Sequence, residues 1–292
     1  CFTLLFCNML FAQESKLFKS FAIDNPMSYK FVMTIAQDKD GFMWFGGQEG
    51  VHRFDGHQLL SFYHDTSIEG SLSSNVIGRI IIDKSQRIWI GTRGGGLNLY
   101  YPESKSFRHL TTKTKNAQIS NDGINTLFED SEGKIWIGTE NGLNILSIKG
   151  ENWDVVQIQQ KLDNKHSLSH NIVHAIIETD EHEIWVGTNG GGISVFDLAG
   201  NFKRTIKYAP KEDDSYINKY INALFKDKQG NIWVGTVDNG LLKYSVNDNN
   251  VVHFKYDESD KKSLSSNTIH NVYQDFENNI WIATDNGLSI YD

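Results

Sequence analysis

One five-residue phrase returns six times along this chain: apolar, Trp, apolar, small, then Thr in all copies but the first. The copies are centred on Trp44, Trp89, Trp136, Trp185, Trp233 and Trp281, successive indoles lying 45 to 49 residues apart. A self-similar period of that length marks a repeat architecture whose units cannot bury their apolar faces alone and must stack. Few chains of 292 residues are so constrained before any motif is sought. Seventeen Phe, eleven Tyr and seven Trp supply a large core, and three Pro with 22% charged residues exclude a disordered chain.

The unit around Trp136 shows how the phrase reads physically. Ile124–Asp130 forms a strand entering the turn Asp130-Ser131-Glu132-Gly133-Lys134, and Ile135–Thr139 forms a second. Asn141-Gly142 then gives a tight hairpin turn, because both central residues of such turns take positive φ. Leu143–Leu146 follows as a third strand, and Val155–Ile158 as a more variable fourth. In the second strand Ile135 and Ile137 face one way and Trp136 the other. Both faces of the sheet are thus apolar, and each sheet must lie between two others. Gly138 and its equivalents then let the next sheet approach closely.

An Asp precedes the Trp by six residues in five units (Asp38, Asp83, Asp130, Asp227, Asp275), and Thr179 holds the place in the other. Calcium ligation would need a denser alternation of oxygen ligands than Asp38-Lys39-Asp40-Gly41 offers. An Asp capping its own turn through backbone N–H groups accounts for the placement. Trp153, outside the phrase, belongs with a fourth strand at the rim and packs an edge. No cofactor or metal motif is present.

These elements define an all-β chain, a β-propeller of four-stranded antiparallel blades with six repeat units. The last unit stops after its third strand, and Leu17–Asp24 resembles a displaced fourth strand. Either that segment closes a six-bladed ring or the chain is part of a seven-bladed one. Residues 1–13 are uncharged and mostly apolar, too short to span a membrane and suited to the core of a secretory signal. The propeller is therefore expected over residues 14–292. Cys1 and Cys7 both lie in the leader, so the remainder holds no disulfide framework. Acylation of Cys7 is disfavoured by the bulk of Phe6. The net charge of −8 argues against nucleic acid as a partner.

The phrase Asp227-Lys228-Gln229-Gly230-Asn231-Ile232-Trp233-Val234-Gly235-Thr236, with Asn239-Gly240-Leu241 after it, resembles the two-component regulator propeller repeat. So do the inter-blade runs Ser71–Asn75, Ser167–Asn171 and Ser263–Asn267. The likeness runs over residues 17–292. It implies the periplasmic sensor region of a hybrid two-component histidine kinase of Bacteroidetes-type bacteria. A membrane span, kinase, receiver and helix-turn-helix would follow, with dimerisation and an oligosaccharide as ligand. The family usually builds seven blades, whereas six units are visible, and no kinase lies in this segment.

In a propeller the inter-blade loops and the turns after the Trp strand share one face. This places Asn75, Asn171 and Asn267 around the axis with Gln48, Arg93, Glu140, Asn189, Asp238 and Asp285. His174 and His270 occupy equivalent inner-strand positions, where they could meet across the channel. Residues that vary inside a repeated frame suit one asymmetric site, and amides and carboxylates suit sugar hydroxyls. Tyr29, Tyr216 and Tyr220 are candidate platforms for sugar rings. No nucleophile elbow, phosphate loop or paired-His zinc motif occurs. A sensing module is the leading expectation. A polysaccharide lyase or glycosidase using axial His, and a protein-interaction propeller, are the alternatives.

Overall fold

A computed structural model describes residues 32–206, 220–245 and 250–291. The described residues form 23 strands and no helix. Five blades are four-stranded meanders and the sixth has three described strands, every neighbouring pair being antiparallel. The inner strands are Val32–Gln37, Ile77–Ile82, Ile124–Glu129, Val173–Glu178, Ile221–Lys226 and Ile269–Gln274. Each of the first five contacts the inner strand of the next blade, so the six blades follow one another about a shared axis. The leader, the Leu17–Asp24 segment, Tyr29 and Tyr216 lie outside the described residues.

The core is a series of inter-blade layers. Trp136, Leu143 and Ile145 of blade 3 pack on Leu168, Val173, Ile176, Ile184, Val186 and Phe196 of blade 4. Ile135 and Ile137 turn the other way, toward Trp89 and Leu99 of blade 2. Truncating a buried Trp in such a layer costs about 3–5 kcal/mol. Trp153 is buried, with its ring 5.7 Å from that of Trp89 and the Arg108 guanidinium 4.0 Å above it.

The small residue of the phrase sets the spacing between layers. A Cβ on Gly138 would lie 2.6 Å from Val173 Cγ1, and Gly46, Gly91, Gly187 and Gly235 meet Ile77, Ile124, Ile221 and Ile269 at 2.5–2.7 Å. Only in blade 6 is the position Ala283. There the equivalent of fully buried Leu143, Leu288, is 64% exposed, and Ile290 is exposed beside it. Ile35 and Val32 are similarly exposed on the first blade. Among the described residues, the outer sides of blades 1 and 6 are thus more exposed than the faces of the interior blades.

The Asp of each turn does two things. Its Oδ1 accepts N–H groups of its own turn, as Asp130 does from Glu132 at 3.0 Å and Lys134 at 2.9 Å. Its Oδ2 accepts the indole N–H of the Trp six residues on, at 2.8–2.9 Å in all five units. Thr179 breaks the pattern, and Trp185 reaches Glu183 instead at 3.4 Å. That carboxylate is held by Arg204 through two 2.7 Å bonds and by Lys203 at 2.9 Å. Arg204 foremost holds the Glu183 pKa down at about 2.

Inner-strand termini latch neighbouring blades on the face bearing these turns. Glu129 accepts Lys84 N–H at 2.8 Å, Glu178 accepts Ser131 N–H at 2.6 Å, and Gln274 accepts Lys228 N–H at 2.8 Å. Between blades 4 and 5 the polarity reverses: Lys226 occupies the acceptor's place and pairs with Asp180 at 2.8 Å.

Candidate ligand-binding mouth

On the opposite face the inter-blade loops prove to be scaffold. The side-chain oxygens of Asn75, Asn171 and Asn267 accept backbone N–H groups of His64, Gln160 and Tyr256 at 2.7–2.8 Å. Their carbonyls accept from Gly50, Gly142 and Gly240 at 2.7–2.8 Å. Each loop therefore ties the end of one blade to the start of the next. Within it Leu72, Leu168 and Leu264 are buried. Ser73 and Ser120 hydrogen-bond to fully buried Asn98 and Asn144. The Thr ending the phrase is spent likewise, as Thr139 Oγ1 donates to Gly142 O at 2.8 Å.

The residue after that Thr does face outward. Gln48, Arg93, Glu140 and Asp285 are exposed and Asn189 is half-buried. The N–H groups of Arg93, Glu140, Asn189 and Asp285 donate to the residue ahead of an inner strand: Val76, Gly123, Ile172 and Thr268. In blade 5 the register gives this place to Val237, whose N–H donates to Tyr220 O at 3.0 Å. Asp238, the residue expected from sequence, lies one step further, with φ +64° and its carboxylate accepting the Thr268 hydroxyl at 2.8 Å. Val237 was hidden because it is apolar. Tyr220 keeps an exposed ring and is bridged to Asn189.

A second ring of positions carries no sequence signature. All six inner strands are bulged one residue from their start, between Ile77 and Arg79 in blade 2 and between Val173 and Ala175 in blade 4, for example. A bulge inserts an extra residue and re-aims its side chain. The inserted residues are Met33, Gly78, Asn125, His174, Asn222 and His270. Residues 174 and 270 are thus equivalent, as expected, but no hydrogen bond or ring contact joins them.

Two groupings result. His174 lies within electrostatic reach of Glu140, Arg93 and His170, bringing three expected site residues together. Burial foremost pushes the His174 pKa down, Glu140 opposing and Arg93 and His170 adding to the shift. His170 Nδ1 accepts the Ile172 N–H at 3.2 Å, which leaves its proton on Nε2. Across the mouth, His270 Nε2 meets Asp285 at 2.5 Å, and Asn222 Nδ2 lies 3.4 Å from His270 Nδ1. Asn222 also donates to Ile269 O at 2.9 Å. Both imidazole nitrogens of His270 are therefore engaged.

On the turn face a cavity of about 510 Å³ is lined by Glu129, Glu178, His182, Lys84 and Lys226 among others. Ser131 Oγ and the Glu178 carboxylate both approach His182 Nδ1, at 3.4 and 2.7 Å. A nucleophilic relay needs the hydroxyl and the carboxylate on opposite ring nitrogens, so this trio is not one. Among the described residues no group of His, Cys, Asp or Glu is placed to hold a metal ion.

Six blades thus follow one another about an axis, and the residues at its mouth differ from blade to blade. The sequence pattern of the two component regulator propeller matches residues 26–49, 71–94, 118–141, 167–190, 215–238 and 263–286, once per blade, and the chain belongs to that family. It is 30% identical over 152 residues to "Histidine kinase P4" of Formosa agariphila, a match covering 49% of this chain and 10% of that protein. Its fold is similar to the extracellular domain of a hybrid two component system of B. thetaiotaomicron, with a TM-score of 0.66 at 22% identity. That likeness covers 90% of this chain and 40% of the other. Virginiamycin B lyase of Staphylococcus aureus also shares the fold, with a TM-score of 0.63 at 12% identity over 89% of this chain and 84% of the lyase. The chain thus spans a small part of the kinase and two fifths of the extracellular domain.

Proposed function

We propose that this chain is the extracytoplasmic ligand-sensing propeller of a two-component receptor, reading an oligosaccharide and signalling to a histidine kinase elsewhere in the protein. The observation that carries this is the mouth. In a frame where Trp, Gly, Thr and Asp repeat, the axial positions are Gln48, Arg93, Glu140, Asn189, Val237 and Asp285, no two alike. Scaffold hydrogen bonds hold the backbone of five of them, which positions the side chains, and of these only Asp285 has its carboxylate engaged, by His270, among the described residues. Tyr220 adds an exposed ring beside Asn189. Family membership supports the signalling role, and a periplasmic location and a dimeric receptor follow from the same reading.

The shared fold with a lyase raises the alternative of axial base catalysis. A general base needs a nitrogen turned to the substrate proton. In His270 Nε2 is committed to Asp285 and Nδ1 to Asn222, which favours a binding role. Calorimetric titration of the purified chain against neutral and acidic oligosaccharides tests the proposal. Saturable one-to-one binding weakened by Asn189→Ala supports it; turnover of the sugar, abolished in His174→Ala or His270→Ala, would replace it with the enzymatic reading.

A further inference from the structure

The chain has six arginines, and four are partnered. Arg87 pairs with Asp83 at 2.5 Å and Arg204 with Glu183 at 2.7 Å. Arg53 lies 4.5 Å from the Phe42 ring and Arg108 4.0 Å from that of Trp153. The remaining two both belong to blade 2, Arg79 within its inner strand and Arg93 just past its Trp strand, and neither guanidinium has a hydrogen bond or ion pair among the described residues. In a chain of net charge −8, leaving two cations of one blade unpaired is unexpected.

Their surroundings are rich in donors. A Cβ on Gly78 would come within 2.3 Å of Ile124 O, so the residues that follow, Arg79 and Asn125, start from neighbouring points on facing strands. Both polar atoms of the Asn125 carboxamide are buried without a hydrogen-bond partner. Such an orphan costs about 1–3 kcal/mol and marks a group held for something other than stability. His170, with its Nε2 proton, and His174 stand beside Arg93. Arg79 is solvent-accessible on the inner strand, and desolvation by the surrounding protein lowers its pKa. Glu140 is the carboxylate near this group, and Asp238 and Asp285 stand on the other side of the axis.

We propose that Arg79 and Arg93, with Asn125 and His170 as neutral donors, form an anion subsite at the axial mouth that takes a carboxylate or sulfate ester carried by the ligand. This rests on the sensing reading and specifies its chemical class: an acidic sugar, its charge over blades 2 and 3. Guanidinium forks match both anions with paired N–H bonds and stay charged at any working pH. The carboxylates of blades 5 and 6 repel the charged end and accept from hydroxyls at the other, which fixes the ligand's direction.

The test uses arginine Nε–H resonances of the whole chain, six in number and assigned by substitution, titrated with glucuronate, glucose 6-sulfate and glucose at constant ionic strength. Glucuronate, glucose 6-sulfate or both should move the Arg79 and Arg93 signals saturably while glucose leaves them still, and the active anion identifies the source of charge. Arg79→Gln should weaken that binding tenfold or more. The proposal is overturned if neither signal moves, if all six drift together with added salt, or if Arg79→Gln binds like the wild type. Should a neutral oligosaccharide bind while both arginine signals stay silent, the anion subsite falls and the sensing role survives. If no sugar binds in either experiment, both fall.

Discussion

Replacing Asp130 by Asn separates two readings of the repeated Asp. If the residue only caps its turn, Asn serves nearly as well, since one oxygen can accept the Glu132 and Lys134 N–H groups. If it also clamps the indole, Asn fails, because the carboxylate accepts on both oxygens and the amide has one. Whichever way the amide turns, an NH₂ group faces either the turn or the Trp136 N–H, now 2.8 Å from Oδ2. Asp130 and Trp136 are both fully buried, so water cannot repair the loss. Stranding a buried donor costs about 1–3 kcal/mol, and a charge-assisted bond is worth about 1.5–3. Asp130→Asn should therefore lose about 2–3 kcal/mol, and Asp130→Ala about 1 kcal/mol more with the cap.

Urea unfolding followed by tryptophan fluorescence and far-UV circular dichroism measures this. The decisive comparison is a double-mutant cycle with Trp136→Phe, which deletes the N–H. In that background Asp130→Asn should cost at least about 1 kcal/mol less than in the wild type. An Asn variant within about 0.5 kcal/mol of wild type, or a cycle with no coupling, would refute the clamp. Blade 4 is a built-in contrast. Trp185→Phe forfeits only a 3.4 Å contact to Glu183, so its polar coupling should be small.

Gly138→Ala should destabilise the domain by about 1–3 kcal/mol, because the new methyl meets Val173 and Thr126 carbons at 2.6 Å; Ala283→Gly, on a more exposed side, should show only the small backbone effect in the same denaturation assay. Glu183, its pKa lowered from 4.5 to about 2, contributes stability that is fully present above pH 4.5 and lost as pH falls toward 2. Glu183→Gln should flatten that limb of the stability–pH profile, though the partly exposed pair is screened and its effect modest. Arg93→Ala should weaken ligand binding at least fivefold by calorimetry with a change in melting temperature under about 2 °C, since its guanidinium has no scaffold partner.

The propeller was legible because a buried indole every 45 to 49 residues has few three-dimensional solutions, and the Gly of each phrase records how near the next blade comes. The Asp–Trp spacing of six is equally visible, yet in sequence turn chemistry alone accounts for it. Sequence gives an interval, not the fact that the strand curls the indole back over its own turn. The mouth was half legible. Arg93, Glu140, His174, Asn189, His270 and Asp285 could be placed by counting from the Trp. Asn75, Asn171 and Asn267 also sit on that face, but their side-chain oxygens are taken by backbone N–H groups. Polar residues in loops look alike in sequence whether they bind backbone or face water. The bulge residues were missed because a bulge shifts register by one without altering composition, so Asn125 and Asn222 read as ordinary strand positions.

The two kinds of position differ in what a change would cost, and this allows one frame to serve many ligands. A scaffold residue such as Gly138 or Asp130 touches a neighbouring layer or turn, so its replacement strains or strands a buried group. The side chains after the Thr touch no layer; apart from Asp285, whose carboxylate meets His270, they are held through the backbone N–H bond at a blade's entry, and that bond accepts any residue other than Pro. The blade 5 register shows the freedom directly: Val237 keeps the bond to Tyr220 that Arg93, Glu140, Asn189 and Asp285 make to their own neighbours. Variation is therefore admitted at the axis and penalised between blades. A chain built this way can change what it recognises by substitutions at a few axial positions while its stability, set by the indole layers, stays where it was. Moving Arg93 to the blade 5 position, as Arg93→Val with Val237→Arg, should leave the unfolding midpoint within error and redirect the anion preference. A loss of several kcal/mol in that exchange would show that mouth and scaffold are not independent.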